Sequence, residues 1–549
     1  MSSTTEPRRM STGEAAVAGL ISNGIDTVYC LPGVQNDHLF DALHGAQDRV
    51  RIIHTRHEQG AAYMALGSAM ATGKPSVYAV VPGPGFLNTT GALCTAYAVN
   101  ARVLALVGQI PAATIGRGYG LLHEIPDQLG IMRGLTKYAD RIHAPHDAPV
   151  KVNEAFRQMM SDRPRPTALE CALDVWARRA PITVPTAAEP QHALIDPDLL
   201  ARAAKMLGEA RTPLIIVGGG AQDAGPEITA LAEMLQAPVV AHRMGHGVVD
   251  RRNPLAVNLV EGHALWEHAD VVLGIGTRLN IQYMQWGTDA EMKIIRVDAD
   301  AQELDRYERP SIGLCGDAAA VARALLDAVP SHNRARPSRR EELLGLRAKV
   351  ADELGFLQPQ IAYLEAIRAE LPEDGIFIDE LTQLGYAGRL MFPVYQPRSF
   401  ISPGYQGTLG WGVATALGVK AARPDRPVVA VSGDGGFLFN AQELATAVQQ
   451  RIPVVIVLVN DSAYGNVRRI QTTQFGNRLI ASDLHNPDFQ KFVDSFGAMA
   501  MQAGTPDELR SALRTAFRAE VPAVIEISAG PMPDPWGALR PPRNRPRGG

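Results

Sequence analysis

Short apolar runs rich in β-branched residues alternate with longer segments rich in alanine and leucine, and this alternation restricts the possible folds more than any other feature. Such short runs predict strands buried on both faces, and the longer segments predict helices that connect parallel neighbours. The predicted fold class is therefore α/β, with doubly wound parallel sheets. The predicted strands cover residues 27–30, 50–54, 76–81, 103–107, 214–217, 238–241, 271–275, 294–297, 376–378, 427–431, 453–459 and 523–527.

Two polar stretches that contain proline, residues 180–197 and 330–340, divide these strands into three groups and are predicted linkers. The chain of 549 residues is also too long for one core, since domains average about 150 residues. The tail is rich in proline, arginine and glycine, and we expect an extended arm there. We predict three α/β domains, at residues 1–180, 190–330 and 355–530, followed by the tail at 531–549.

Charge and cysteine content exclude several classes of protein. Lys plus Arg number 53 and Asp plus Glu number 57, a formal net charge of −4. The chain therefore lacks the basic excess expected of a nucleic-acid-binding protein. The four cysteines lie far apart and form no CxxC pair, which argues against a zinc ribbon or a disulfide framework.

A short apolar stretch near the N-terminus, residues 15–21, needs to be distinguished from a signal peptide. Ser11 and Glu14 have capping-box spacing and Asn23-Gly24 is a typical helix end, so we predict an amphipathic surface helix instead. The sequence contains no run of about 20 apolar residues, so no membrane span is predicted. We expect a soluble, cytoplasmic protein without a membrane or nucleic-acid partner.

The strongest local feature is Gly433-Asp434-Gly435-Gly436, which follows the strand predicted at residues 427–431. Glycines after a strand let the backbone approach a phosphate, and a following helix N-terminus favours an anion. The charge of Asp434 opposes a bare phosphate, so a divalent metal such as Mg²⁺ is predicted between them. A second apolar strand ends at Asn460-Asp461, which can supply another oxygen ligand. A plain Asp-Gly turn is the alternative interpretation.

A second feature lies in the first domain, where Arg56-His57-Glu58 follows a predicted strand. A carboxylate at that junction is also a common favourable charge at a helix N-terminus, which is the alternative to a catalytic role. The stretch Gly83-Pro84-Gly85, with Asn88 behind it, ends another apolar strand. Its closely spaced glycines and prolines are consistent with close approach to a flat ligand.

Together these segments resemble the thiamine diphosphate (ThDP) enzymes of the acetolactate synthase, pyruvate oxidase and benzoylformate decarboxylase superfamily, over nearly the whole chain. The resemblance implies a pyrimidine-binding N-terminal domain, a middle domain and a diphosphate-binding C-terminal domain. The family motif pairs GDG with a later NN, and here Asp461 stands in the second Asn position, 27 residues after Asp434. The resemblance thus implies that Asp434, Asp461 and the Ala463 carbonyl ligate Mg²⁺.

The resemblance also assigns roles around the cofactor. Glu58 is the catalytic residue, because a carboxylate at the pyrimidine ring stabilises the tautomer that activates the thiazolium. Leu409 props the bent cofactor and Gly407 offers a carbonyl to its amino group, with ordinary helix-start packing as the alternative for Leu409. The other implied cofactor-binding residues are Gly83, Asn88, Thr382, Gly433, Gly435, Gly436, Tyr464 and Gly465. In this family Glu58 and the diphosphate motif come from different subunits, which implies a homodimer at least and a homotetramer as the expected assembly.

The choice of reaction depends on proton donors. The benzoylformate decarboxylase histidine would fall at Val81, and the adjacent His pair of pyruvate decarboxylase is also missing. An apolar pocket favours addition of the enamine to a second carbonyl over its protonation. We predict an acetolactate synthase-like carboligase that takes a pyruvate-like 2-oxo acid and an aldehyde or ketone. The alternatives are a non-oxidative 2-oxo acid decarboxylase or C–C lyase of the family and, more distantly, a dinucleotide-dependent oxidoreductase.

Four positions are predicted to contact the substrate: Leu122, His123, Asn466 and Ile470. The Phe-Gln pair of acetohydroxyacid synthase aligns with Leu122-His123, and its Met and Trp align with Asn466 and Ile470. We therefore expect a substrate pocket that differs from that of acetohydroxyacid synthase and contains a new polar pair, His123 and Asn466. A histidine on a surface loop is the alternative for His123.

The middle domain carries Gly218-Gly219-Gly220 and Gly274-Ile275-Gly276-Thr277-Arg278, and no clean GxGxxG. Relatives use this domain for FAD, and Arg278 matches one contact. The other FAD elements are not recognisable here, so we predict that FAD is not bound. A triple glycine can equally serve close strand–helix packing.

Overall fold

Parallel strands dominate the computed structural model, which describes residues 7–530 and 532–545. The strands form three six-stranded sheets with helices on their faces, plus one two-stranded antiparallel ribbon. The predicted class, three doubly wound α/β units, is confirmed. Among the described residues, no helix combines the length and apolarity that crossing a membrane requires.

The first sheet has the order β3-β2-β4-β5-β7-β6, and the antiparallel ribbon pairs β1 with β8. A short 3₁₀ turn at Val34–Asn36 precedes α2, and another lies at Ala112–Thr114. The elements are β1 Arg8–Ser11, α1 Thr12–Ser22, β2 Thr27–Cys30, α2 Asp37–His44, β3 Arg51–His54, α3 Glu58–Thr72, β4 Ser76–Val80, α4 Pro84–Leu87, α5 Thr90–Val99, β5 Val103–Gln109, α6 Gln128–Leu135, β6 Tyr138–Ile142, α7 Asp147–Met160, β7 Thr167–Ala172, α8 Leu173–Trp176 and β8 Arg179–Ile182.

The second sheet has the order β11-β10-β9-β12-β13-β14. A π-helical segment lies at Gln282–Trp286, and 3₁₀ turns lie at Gly219–Ala221, Arg243–Gly245 and Val329–Ser331. The elements are α9 Pro197–Glu209, β9 Pro213–Val217, α10 Gly225–Leu235, β10 Val239–Ala241, β11 Ala256–Val257, α11 Leu259–Trp266, β12 Val271–Ile275, β13 Lys293–Asp298, α12 Ala301–Leu304, β14 Ile312–Cys315, α13 Ala318–Ala328 and α14 Arg340–Glu353.

The third sheet has the order β16-β15-β17-β18-β20-β19. A 3₁₀ turn at Ala441–Glu443 separates α18 from α19. The elements are α15 Gln360–Glu370, β15 Ile376–Asp379, α16 Gln383–Met391, β16 Phe400–Ile401, α17 Gly412–Ala422, β17 Val428–Gly433, α18 Asp434–Asn440, α19 Leu444–Gln449, β18 Val455–Asn460, α20 Gly465–Gln474, α21 Phe489–Asp494, β19 Met499–Ala503, α22 Pro506–Arg518, β20 Ala523–Ser528 and α23 Trp536–Leu539.

Eight strands have no counterpart in the sequence prediction: β1, β6, β7, β8, β11, β14, β16 and β19. Two of them are only two residues long, and β7 contains two alanines and a glutamate, which have low strand propensity. Tertiary pairing with neighbouring strands therefore stabilises segments that local composition does not mark. The N-terminal capping box, by contrast, is present: the Ser11 hydroxyl accepts from the Glu14 amide at 3.0 Å, and the Glu14 carboxylate accepts from the Ser11 amide. The predicted surface position of this helix is wrong, because most of α1 is buried and none of its residues is exposed.

The first predicted linker and the C-terminal tail both differ from the prediction. Residues 180–182 of the first predicted linker belong to β8, which pairs with β1. Within 532–545 the tail contains α23 and then packs on the middle domain, where the buried Arg545 guanidinium donates to Asp289 at 2.9 Å and to the Trp266 carbonyl at 3.0 Å. A buried arginine with these acceptors holds the tail in place, which the prediction of an extended arm did not anticipate. Pro531 and residues 546–549 lie outside the described residues.

Helices α3 and α17 join the N-terminal and C-terminal domains within one chain. Their backbones touch at two glycines: a Cβ at Gly67 would overlap the Thr415 carbonyl oxygen, and a Cβ at Gly418 would overlap the Met64 carbonyl oxygen. All these residues are buried. The absence of two side chains thus permits the close approach, and backbone atoms, which cannot move aside, fix it.

We expect Gly418→Ala to lower the free energy of unfolding by about 1–3 kcal/mol, because the added methyl group forces the two helices apart. Chemical denaturation followed by fluorescence measures this. Gly345→Ala is the matched control, because Gly345 lies on an exposed face of α14 with open space around its Cβ position. It should change stability by at most about +1 kcal/mol. Equal stability of Gly418→Ala and wild type would contradict the packing described.

Candidate active site

Two aspartates meet at the carboxyl ends of neighbouring parallel strands. Gly433 of β17 pairs with Val459 of β18, so the residues that follow each strand lie side by side. Asp434 is buried and Asp461 is half-buried. Burial, reinforced by the nearby Asp434 charge, raises the pKa of Asp461 to about 6, and burial likewise raises the pKa of Asp434. The structure thus brings the two predicted metal ligands together.

The surrounding groups fit a hard cation. Two carboxylates at close quarters repel one another unless a positive charge lies between them, and carboxylate and carbonyl oxygens are the ligands that Mg²⁺ prefers. The Ala463 amide donates to Asp461 at 3.2 Å, which fixes the loop that carries the Ala463 carbonyl. Within the described ranges no three His, Cys, Asp or Glu side chains cluster as a metal site. A cation here would therefore complete its shell with carbonyl and ligand oxygens.

Asn486 is a site residue that the sequence analysis missed. Its side-chain amide donates to Asp434 at 2.6 Å and to the side-chain oxygen of Asn460 at 3.0 Å. Asn460 in turn donates to Glu526 at 2.8 Å. These bonds orient the Asp434 carboxylate. Asn486 lies in a loop with no periodicity or motif, so no signal in the sequence points to it.

The glycines after β17 are required partly by protein side chains. A Cβ at Gly435 would lie 2.6 Å from the Tyr464 ring, and a Cβ at Gly436 would lie 2.7 Å from Glu380 Oε1. Only Gly433 has a nearly open Cβ position, with the Thr382 methyl group at 3.4 Å. The predicted diphosphate residues Gly433, Thr382 and Tyr464 are therefore grouped at the start of α18. Gly465 is nearby, since a Cβ there would lie 2.6 Å from Asp461 Oδ2.

The segment with the predicted cofactor prop runs beside these glycines. A Cβ at Gly436 would lie 3.3 Å from Leu409 Cδ1, which places Leu409 against the start of α18. Gly407 has φ +56°, a left-handed conformation that glycine adopts without strain. The buried Glu380 carboxylate accepts from the Gly410 amide at 2.7 Å and from the Ser432 hydroxyl. Glu380 is a second residue that the sequence analysis did not single out.

Burial raises the pKa of Glu380 to about 7. Because the unfolded chain releases this proton near pH 4.5, the folded state binds one more proton between about pH 4.5 and 7, and its stability falls as pH rises through that window. Glu380→Gln lacks this titration. We expect the stability of the variant relative to wild type to increase by a few kcal/mol from pH 4.5 to 7.5, measured by denaturation at both pH values. A difference that does not change with pH would contradict the raised pKa.

Glu58 begins α3 at the opposite, N-terminal half of the site. The Asn88 amide donates to its carboxylate at 3.0 Å, and a Cβ at Gly85 would lie 3.5 Å from its other oxygen. Val81 is buried beneath, since the same Cβ would lie 2.6 Å from its methyl group. The structure thus brings Glu58, Asn88 and the Gly83–Gly85 turn together.

His123 lies on a loop held over this turn. It has φ +67°, which is uncommon outside glycine, and its carbonyl fills the space where a Cβ of Gly83 would be. Its Nδ1 forms a 3.0 Å hydrogen bond with the side-chain oxygen of buried Gln35, whose amide donates to the Leu122 carbonyl at 3.1 Å. His123 therefore lies half-buried on a loop with its ring held by Gln35, and its contact with substrate stays a prediction. Leu122 itself is 63% exposed.

The other two predicted substrate residues, Asn466 and Ile470, lie half-buried on α20. The Asn466 side-chain oxygen accepts from Arg469 at 3.1 Å, and Arg469 pairs with Asp534 of the tail at 2.8 Å. The hydrogen-bond partners given for Glu58 and His123 belong to the N-terminal domain, whereas those of Asn466 belong to the C-terminal domain. We call the group around Glu58 and His123 the N-terminal half-site, and the group around Asn466 and the two aspartates the C-terminal half-site.

The middle-domain glycines line a cavity of about 840 Å³ between the domains. A Cβ at Gly220 would lie 2.8 Å from Gly276 Cα, and a Cβ at Gly219 would lie 3.2 Å from Met244. Close packing thus accounts for these glycines. Arg278 is paired with Glu303 at 3.2 Å and lies over the Tyr405 ring. That the protein functions without FAD stays a prediction.

Comparison with known proteins agrees with this geometry. Family models for the thiamine pyrophosphate enzymes match residues 10–131 (N-terminal TPP binding domain), 200–325 (central domain) and 382–527 (C-terminal TPP binding domain). Fold and site therefore define an enzyme with a thiamine diphosphate cofactor. The chain belongs to the thiamine pyrophosphate enzyme family.

Several relatives match nearly the whole chain. The chain is 33% identical to a probable 2-ketoarginine decarboxylase of Pseudomonas aeruginosa, over 95% of this chain and 94% of the relative. It is 32% identical to a probable acetolactate synthase large subunit of Methanocaldococcus jannaschii, over 96% and 94%. It is 30% identical to the acetolactate synthase isozyme 3 large subunit of Escherichia coli, over 92% of each. These names cover both a transferase and a lyase.

Proposed function

We propose that this chain is a ThDP- and Mg²⁺-dependent carboligase. It removes CO₂ from a 2-oxo acid with a pyruvate-like reacting end and joins the remaining acyl fragment to a second carbonyl compound. The new bond links the acyl carbon to the carbonyl carbon of the acceptor, and the acceptor oxygen takes up a proton. The product is a 2-hydroxy ketone or a 2-hydroxy-3-oxo acid.

The observation that carries this proposal is the apolar surface beside Glu58. Val81 lies beneath the Gly85 turn, is 6% exposed, and its methyl group would also lie 2.5 Å from a Cβ at Gly33. It therefore fills the space at the N-terminal half-site with hydrocarbon. With no proton donor at that position, addition to a second carbonyl competes better against protonation.

The residues present suit both ends of the cofactor, the diphosphate and the pyrimidine ring. Asp434, Asp461 and the Ala463 carbonyl would hold Mg²⁺, and the start of α18 would hold the diphosphate. Glu58 would hydrogen-bond the pyrimidine ring, with Asn88 keeping its carboxylate in place. When bound, ThDP supplies the electron sink that receives the electron pair left by loss of CO₂.

A second candidate, simple decarboxylation to an aldehyde, is favoured by a different observation. The His123 backbone lies against Gly83 and its ring is bonded to Gln35, so an imidazole is fixed on the loop above the Gly83–Gly85 turn. Because Nδ1 is engaged with Gln35, Nε2 is the nitrogen available to a substrate. The similarity to a probable 2-ketoarginine decarboxylase supports the same candidate.

Product analysis separates the two candidates. Purified protein with ThDP and Mg²⁺ is incubated with pyruvate, 2-oxobutyrate or 2-ketoarginine, each with and without added acetaldehyde, and CO₂ and organic products are quantified by mass spectrometry. We expect coupled products to match CO₂ release for at least one donor. Aldehyde equal to the CO₂ released, with no coupled product, would overturn the carboligase and support the decarboxylase. No consumption of any 2-oxo acid would argue against both.

We also propose that the working unit is a homodimer at least, with a tetramer as the expected assembly, and that each site is shared between subunits. Exposed apolar side chains lie beside both half-sites: Leu87 (40%) and Leu122 (63%) near Glu58, and Leu438 (38%) and Phe439 (47%) on α18. Clustered exposed apolar groups mark surfaces that another chain covers. A second copy would bring the half-sites together in a symmetric interface.

Complementation tests the shared site. Glu58→Gln and Asp434→Asn should each be inactive alone, the second because its Mg²⁺ and ThDP binding is lost. When the two variants are mixed, unfolded and refolded together, each heterodimer contains one intact site, so about a quarter of wild-type activity should return for random pairing. Asp425→Asn, an exposed aspartate of the same domain, is the control for Asp434→Asn. No recovery in a mixture proven to contain heterodimers would show that both residues act within one chain.

A further inference from the structure

Glu443 is a fully buried carboxylate that lies between two domains. It ends the 3₁₀ turn after α18, in the C-terminal domain, yet it binds the backbone of the N-terminal domain. Its oxygens accept from the Arg56 amide at 3.1 and 3.2 Å and from the His57 amide at 3.0 Å. The Thr446 hydroxyl also donates to it at 2.5 Å. The carboxylate therefore gathers two backbone amides immediately before Glu58.

The local sequence is arranged to allow this contact. Gly60 must lack a side chain, because a Cβ there would overlap the Glu443 carboxylate. Removing a carboxylate from water is costly, and here hydrogen-bond donors offset the cost. Burial still raises the pKa of Glu443. A buried acid that costs stability and binds only backbone and one hydroxyl calls for an explanation other than general packing.

The first turn of α3 supplies that explanation. An amide at a helix start is not bonded within its own helix, so an external acceptor decides where the backbone lies. Arg56 and His57 lead directly into Glu58, and their amides are fixed by Glu443. The direction of the Glu58 carboxylate thus depends on a side chain of the other domain, in addition to its bond with Asn88.

We propose that Glu443 is the positioning residue of Glu58. It holds the backbone before α3, and in this way it aims the Glu58 carboxylate at the pyrimidine-binding position. The proposal rests on the proposed function in one respect, the role of Glu58. It does not rest on the reaction that follows, so it applies equally to a carboligase and to a decarboxylase.

The experiment compares Glu443→Ala, which removes the acceptor, with Glu443→Gln, which keeps one acceptor oxygen. Amide hydrogen exchange is measured by mass spectrometry on peptides that contain residues 56–61, in the purified protein with and without ThDP and Mg²⁺. We expect exchange to be about tenfold faster or more in Glu443→Ala, since a hydrogen bond to a charged group is lost, and intermediate in Glu443→Gln. Glu380→Gln is the matched control: it alters an equally buried carboxylate that binds Gly410 instead, and should leave residues 56–61 unchanged.

A second readout follows the step assigned to Glu58. Hydrogen–deuterium exchange at thiazolium C2 of bound ThDP, measured by quenched-flow NMR, should slow at least tenfold in Glu443→Ala, while ThDP affinity changes less than threefold. Two results would overturn the proposal. One is an unchanged rate of amide exchange at residues 56–61 in Glu443→Ala. The other is faster amide exchange there together with a wild-type rate of C2 exchange. If Glu443→Ala does not fold, Glu443→Gln gives the same two readouts. A wild-type C2 rate in Glu58→Gln would refute the role of Glu58 under the proposed function, and the amide exchange would still decide whether Glu443 holds this backbone.

Discussion

The contact between α3 and α17 is the constraint on which the site depends. Helix backbones meet there without intervening side chains, because Gly67 and Gly418 leave room for the carbonyls of Thr415 and Met64. Backbone contact of this kind permits little sliding or rotation, unlike a contact between flexible side chains. Since Glu58 is the first residue of α3, its place in the molecule is fixed relative to the C-terminal domain as firmly as relative to its own sheet.

Buried carboxylates extend this arrangement to the loops. Glu380 binds the Gly410 amide and the Ser432 hydroxyl, and Glu443 binds amides of the other domain. The hydrogen-bond partners described for both are amides and hydroxyls, not cationic side chains. Amides are fixed in the backbone, so a carboxylate that collects them fixes chain direction, whereas an arginine partner would fix only another side chain. Burial raises the pKa of both carboxyl groups, so keeping them ionised in the folded state costs free energy.

Sequence reasoning succeeded where a local pattern determines a position in space. Asp434 and Asp461 each follow a recognisable buried strand, and parallel pairing brings such strand ends to one edge of a sheet. The sequence analysis missed Asn486 and Glu443, because their partners are distant in sequence and such hydrogen bonds leave no periodic pattern. The predicted glycines lie beside these aspartates, but the side chains that require them, such as Tyr464 against Gly435, belong to the tertiary structure.

The anchored tail has a consequence for the autonomy of the three domains. Arg545 comes after the C-terminal domain in sequence, yet its guanidinium satisfies carbonyls of the middle domain at Trp266, Glu267 and Ala269. The chain thus closes on itself, and a middle domain excised at its apparent borders would lose the guanidinium from which these three carbonyls accept hydrogen bonds. The middle sheet looks modular, but its stability is expected to depend on a segment that follows the third domain in sequence.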